Sequence, residues 1–223
     1  MKRTFVIGDI HGCSEALKAL FQKITPDPLT DRIVFLGDYV DRGLDSKQVV
    51  SELLRLQSQF PDIIFLKGNH EQVFLNCLTN RDQLDFFLVI GGRRTLESYG
   101  VKDIAACDFR EKIPPSHIHF LEDLLPYWED EDYFYVHAGF EPGIHPTQQS
   151  TDWLFWSNGG RFAGVLHDFG KQVIYGHTVT DTPLIQPNKI GIDTGAVYGG
   201  ALTCLILPEM EFISVPCKKY WPI

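Results

Sequence analysis

The stretch Val34-Phe35-Leu36-Gly37-Asp38-Tyr39-Val40-Asp41-Arg42-Gly43 decides how the chain is read. Its apolar start has the make-up of a buried strand, and the glycine-flanked run that follows carries two carboxylates and a guanidinium between residues 38 and 42. The same pattern recurs on either side. Phe5-Val6-Ile7 leads into Gly8-Asp9-Ile10-His11-Gly12, and Ile64-Phe65-Leu66 leads into Lys67-Gly68-Asn69-His70-Glu71. Three strand ends therefore hand Asp9, His11, Asp38, Asp41, Arg42, Asn69 and His70 to loops. Ligands in open α/β sheets bind outside the carboxyl ends of strands, so these loops are expected to converge on one site.

Outward from that stretch, the spacing of Leu17, Leu20, Phe21 and Ile24 predicts a helix over 14–24 that Pro26 and Pro28 close. Asp45-Ser46 reads as the cap of a second helix, with Val49, Val50, Leu53, Leu54 and Leu56 on its apolar face and its end near Phe60-Pro61. Strands at 4–8, 32–36 and 62–66 alternating with these helices predict a partly parallel α/β sheet. Residues 72–125 read as a helical insertion of short helices, punctuated by Gly91-Gly92, Gly100 and Pro114-Pro115 and expected to shape access to the site. From Tyr133 the chain is strand-rich. Tyr133–Val136 runs into His137-Ala138-Gly139, Gln172–Tyr175 into Gly176-His177-Thr178, and the apolar runs at 183–186, 189–192, 201–207 and 211–215 read as a meander. Together these predict an α/β fold, two mixed sheets packed face to face with helices outside, in one domain over residues 1–223.

With 223 residues the chain can bury a large core, and its length favours one domain. The formal charge of −9 opposes binding to polyanions, so no nucleic-acid partner is expected. No apolar run approaches the roughly 20 residues of a membrane helix, so no membrane partner is expected either. Lys2-Arg3 resembles the start of an export signal, but Asp9 and His11 interrupt the apolar stretch behind it. Five widely spaced cysteines, with no Cys-x-x-Cys, indicate neither a disulfide framework nor a zinc knuckle and fit a reducing cytoplasm. Nothing in the sequence fixes an oligomeric state.

The strand-end set Asp9, His11, Asp38, Asn69, His70, His137 and His177 offers imidazole, carboxylate and amide ligands without a thiolate, which suits Mn, Fe or Zn. It exceeds what one ion requires. Two divalent ions sharing a carboxylate, about 3.5–4 Å apart, would use such a number. The three motifs in order, followed by His137-Ala138-Gly139 and Gly176-His177, resemble the signature of the phosphoprotein phosphatase family of binuclear, calcineurin-like metallophosphoesterases, over residues 5 to about 200.

The resemblance implies a four-layer α/β/β/α sandwich and two divalent ions, Mn²⁺ foremost with Fe or Zn as alternatives. It puts Asp9, His11 and Asp38 on the first metal and Asp38, Asn69, His137 and His177 on the second, with Asp38 as the bridge. His70 becomes the general acid, oriented by Asp41, while Arg42 and Arg161 clamp phosphate oxygens beside Asn69. The reaction implied is hydrolysis of phosphomonoesters by in-line attack of a metal-bridging hydroxide. Phosphoserine or phosphothreonine in a phosphoprotein or phosphopeptide is the expected substrate, as for a compact bacterial or phage-type serine/threonine phosphatase. The alternative is a symmetrical bis(5'-nucleosyl)-tetraphosphatase, which resembles it in every motif. Trp153, Phe155 and Trp156 could then stack on a base, although core packing explains them equally well. A binding module without turnover is disfavoured because His70, Asp41 and Arg42 are all present.

Overall fold

Alternation along the central strands sorts their side chains into two cores. In β1 (Thr4–Ile7), Val6 faces one way and Phe5 and Ile7 the other; in β2 (Arg32–Phe35), Val34 opposes Ile33 and Phe35. The computed structural model describes residues 2–104 and 109–222, and Cys107 lies outside them. β1 pairs in parallel with β2, β2 in parallel with β3 (Ile63–Phe65), and β1 antiparallel with β9 (Ala201–Leu207), itself antiparallel to β10 (Glu211–Pro216). The second sheet has the order β4 (Tyr127–Glu129), β5 (Tyr133–Val136), β6 (Gln172–Tyr175), β8 (Lys189–Gly191), β7 (Leu184–Gln186), with β5, β6 and β8 parallel.

The inward set Val6, Val34, Leu205, Tyr135, Ile174 and Ile190 joins the sheets face to face. Outside the first sheet, Phe5, Ile7, Ile33 and Phe35 pack under α1 (Ser14–Ile24) and α2 (Ser46–Gln59). The same cluster takes in α3 (Asn69–Thr79) and residues of α5 (Arg93–Ser98) and α6 (Pro115–Glu122). Outside the second sheet, Phe134, Val136, Val173 and Tyr175 pack against Leu154 and Phe155 of α7 (Thr151–Gly160). The expected layering of helix, sheet, sheet and helix is thus observed. No helix among the described residues is long and apolar enough to cross a membrane.

Three expectations are corrected. The last four strands are not a meander: β7 and β8 complete the second sheet, whereas β9 and β10 complete the first. Each run alternates acceptably for either sheet, and it is the crossing at residues 192–200 that separates them. Asn69 and His70 lie in the first turn of α3 rather than on a loop, because Glu71 at its third position reaches back to the Gly68 N–H. Asp45 precedes α2, but its carboxylate accepts from Ser14 Oγ (3.0 Å) and makes no cap bond. The edge strand β4 is too short to announce itself by alternation.

Leu205 is fully buried where the two sheets meet. Leu205→Ala should lower unfolding stability by about 2–5 kcal/mol through lost contacts and a cavity, read from the midpoint of a urea titration at unchanged slope.

Candidate metal centre

The three motifs meet because one buried carboxylate gathers their backbone. Glu71 Oε2 accepts N–H bonds from Asp38 (2.9 Å) and Gly68 (3.0 Å), and Oε1 accepts them from Tyr39 (2.7 Å) and Val40 (3.2 Å). Burial and the adjacent Asp38 push the Glu71 carboxyl up to about 8, against the pull of these N–H groups. The loop so held is strained. His11, Asp38, Asp41, Arg42 and His177 all have φ between 44° and 71°, a region costly for residues with a side chain and concentrated at functional sites. Gly68 admits this packing, since a Cβ there would lie 2.1 Å from Asp38 Oδ1.

Asp38 is the hub. Its Oδ2 lies 3.3 Å from His11 Nε2 and 3.9 Å from His70 Nε2, and its Oδ1 lies 3.4 Å from His137 Nε2. His137 Nε2 in turn lies 3.0 Å from Asn69 Oδ1 and 3.2 Å from His177 Nδ1. Asp9 closes the far side, where its carboxylate accepts the His177 N–H at 3.1 Å. Two triads of possible ligand atoms result, His11–Asp38–His70 and Asp38–His137–His177, sharing Asp38 and each within 4.8 Å.

The imidazoles are oriented for ligation. His11 Nδ1 contacts the Val40 carbonyl (2.8 Å) and His137 Nδ1 the Leu36 carbonyl (2.9 Å), contacts that need the Nδ1–H tautomer and leave each Nε2 lone pair facing the cluster. His70 Nδ1 donates to Asp41 Oδ2 (2.7 Å), and its Nε2 is buried without a partner. Burial holds the His70 and His137 imidazoles below their ordinary range and His177 at about 3. Burial likewise raises Asp9, Asp41 and Asp193. Neutral lone pairs and unwillingly charged carboxylates facing one another in a closed space call for cations, and this donor set of N and O atoms fits divalent ions. Arg42 already answers the same demand: its Nη1 lies 2.8 Å from His11 Nε2.

Every residue expected at the site is gathered here except Arg161. It opens the 3₁₀ turn Arg161–Gly164 behind Gly159 and Gly160, both with positive φ, and its side chain is exposed. No contact among the described residues ties it to the cluster. Of the aromatic trio, Phe155 is core, Trp153 and Trp156 pack on that core, and Trp156 also reaches His177, with ring centroids 6.4 Å apart.

Sequence reasoning missed three participants. Asp193 is buried close enough to the charges of Asp38, His11 and Arg42 to feel them, and it stands at the end of β8 in Ile192-Asp193-Thr194-Gly195. That is the pattern already seen after β1, and following it past β8 would have found this residue. Thr95 Oγ1 donates to Asp41 Oδ1 (2.6 Å) and accepts the Asp41 N–H (2.8 Å), fixing the carboxylate that holds His70. Tyr198 lies under the Arg42 guanidinium at 5.5 Å from the ring centroid. Gly91 also reaches the site: its carbonyl accepts the Arg42 N–H at 3.2 Å.

The family model described as calcineurin-like phosphoesterase matches residues 2–181. A curated relative from Bacillus thuringiensis (strain Al Hakam), named bis(5'-nucleosyl)-tetraphosphatase PrpE [asymmetrical], is 29% identical, with 98% of each chain covered. One of the same name from Anoxybacillus flavithermus is 29% identical over 95% of this chain and 93% of its own. A crystal structure assigned as a diadenosine tetraphosphatase superposes with TM-score 0.75 at 24% identity, covering 97% of this chain and 94% of that one. A serine/threonine phosphatase from Saccharomyces cerevisiae superposes at 0.61 and 14% identity, covering all of this chain and 81% of its own.

Glu71→Gln keeps the shape of the gathering carboxylate but points an NH₂ at two N–H donors. It should cost on the order of 3 kcal/mol of stability and lower metal content together, read by denaturant titration and elemental analysis of one preparation.

Proposed function

The chain belongs to the calcineurin-like phosphoesterase family, and on that premise we propose that it hydrolyses dinucleoside tetraphosphates asymmetrically. The observation that carries this reading is the end-to-end match, 98% of both chains, to a relative bearing that name. It departs from the protein-phosphatase activity expected first from the motifs, and from the symmetrical cleavage held as the alternative. A second reading, hydrolysis of phosphoserine or phosphothreonine, is favoured by the His70–Asp41 pair, since an alkoxide leaving group needs a proton more than a phosphate leaving group does.

Asp9, His11 and Asp38 would hold one divalent ion and Asp38, Asn69, His137 and His177 the other, with Mn²⁺ the expected occupant. Two such ions supply Lewis-acid polarisation of the phosphoryl group and a nucleophile active at neutral pH. The chain's own residues do the rest. Arg42 binds phosphate oxygens once drawn off His11, and Tyr198 under the guanidinium limits where it can go. Thr95 fixes Asp41, Asp41 holds the His70 ring through Nδ1, and His70 Nε2 is left to deliver a proton to the departing oxygen. Asp41 also stabilises the imidazolium from which that proton comes. Glu71 keeps the loops from relaxing as charge shifts.

Incubation with diadenosine tetraphosphate and Mn²⁺ should give ATP and AMP in equal amounts by ion-exchange chromatography. Two ADP would mean symmetrical cleavage, and no turnover beside rapid release from phosphoserine peptide would transfer the assignment to the second reading. Chelation should abolish activity and Mn²⁺ should restore it. Asp38→Asn should lower the content of both ions, since each triad contains Asp38. His70→Asn should retain metal, and it should lose about 10²–10⁴ in kcat on phosphoserine but clearly less on the dinucleotide. Loss of one ion from His70→Asn would make His70 a ligand instead.

A further inference from the structure

Resting on the dinucleotide reading, we propose that Trp156 and Phe86 form a stacking subsite for a nucleobase at the edge of the metal centre. Two independent paths lead from the site to this pair. The first runs through His177, whose ring lies 6.4 Å from that of Trp156 at 83°, edge against face. The second runs through Arg42, whose N–H is bound by the Gly91 carbonyl. Gly91 closes the segment that begins at α4 (Leu84–Phe87) and carries Phe86 and Val89. A Cβ at Gly91 would lie 2.7 Å from Arg42 Cγ, so this segment is pressed directly against the phosphate-binding arginine. The paths join where the Phe86 and Trp156 rings approach to 6.1 Å at 41°.

What they form there is not core. Phe86 is 45% exposed and Val89 75% exposed, while Trp156 is half-buried and wedged between the outer clusters of the two sheets. Large apolar side chains left in water beside a charged centre, from segments about 70 residues apart in the chain, mark a binding surface better than a packing remainder. The occupant is inferred from its chemistry. The site attracts phosphates, and beside it stand faces without a hydrogen-bonding demand of their own, which suit the planar π-surface of a base whatever its edge carries. A phosphopeptide would ask for several main-chain partners along its length, and this pair of rings has one indole N–H between them. One wall of the subsite comes from the 72–125 insertion, which gives that segment a part in substrate choice.

The test uses the Mn²⁺-loaded protein and two ligands that resist hydrolysis, α,β-methylene-ADP and methylenediphosphonate, which share the phosphonate chain and differ in the nucleoside. By calorimetry, Phe86→Ala and Trp156→Ala should each weaken α,β-methylene-ADP about tenfold, as expected when a base loses an aromatic face, and change methylenediphosphonate by less than about twofold. In parallel, kcat/KM for diadenosine over diuridine tetraphosphate should fall towards one in both variants, since the larger purine gains more from stacking. Equal weakening of both ligands would make the rings structural supports of His177 and overturn the proposal, as would no weakening of either. Stronger loss on a phosphoserine peptide than on the nucleotide would also overturn it, in favour of a peptide surface. Turnover of the dinucleotide without base-dependent loss would remove the subsite and leave the proposed function. A base-dependent loss in a protein that does not cleave dinucleotides would do the reverse. Phe86→Ala, at a half-exposed position, decides the matter should Trp156→Ala fail to fold.

Discussion

The Glu71 carboxylate, taken out of water and closed over four backbone N–H groups, is the constraint on which the site rests. Three of those donors belong to the loop after β2 and the fourth to the start of α3, so one side chain joins two strand ends that are about thirty residues apart. Backbone hydrogen bonds of this kind are each worth about 0.5–1.5 kcal/mol net, and four closed on one side chain help to hold several residues in the left-handed region at once. That strain has a use. Asp38, Asp41 and Arg42, with φ of 54°, 71° and 65°, project in directions that no regular strand or helix would give them.

The sandwich supplies the rest of the rigidity. The first sheet delivers Asp9, Asp38 and the start of α3, the second delivers His137, His177 and Asp193, and the inward residues Val6, Val34, Ile174 and Leu205 fix one sheet against the other. Contacts between the sheets recur inside the site itself: His137 Nδ1 meets the Leu36 carbonyl, and the His177 N–H meets Asp9. A centre assembled from both sheets is preorganised by the same burial that stabilises the fold, and the cost of bringing its charges together is met by packing elsewhere.

Positioning then extends outward in steps. Ser46 and Thr95 hold Asp41, Asp41 holds His70, and Gly91 and Tyr198 hold Arg42. Thr95 and Gly91 both come from the 72–125 segment. That segment is therefore a second support of the acid and of the phosphate clamp, as well as a wall beside them.

The sequence alone determined the strand-end grammar and the identity of nearly every clustered residue, because a buried strand that stops at Gly-Asp or Gly-Asn-His leaves a local trace of composition and spacing. It determined the layering for the same reason: an uninterrupted apolar run such as Phe5-Val6-Ile7 or Phe134-Tyr135-Val136 marks a buried strand, and that is a local property. It could not place β8 and β9 in different sheets, since alternation says which face is buried and not against what. Its inclusion of Arg161 rests on motif neighbourhood alone: the side chain is exposed after Gly159-Gly160, and among the described residues no contact ties it to the cluster. Only the tertiary structure decided the roles of Glu71, Thr95, Asp193 and Tyr198, and the contacts of Trp156 with His177 and Phe86. Each of these depends on which distant group stands within hydrogen-bond or ring-contact distance, and such distances are set by the packing of two sheets rather than by any run of residues.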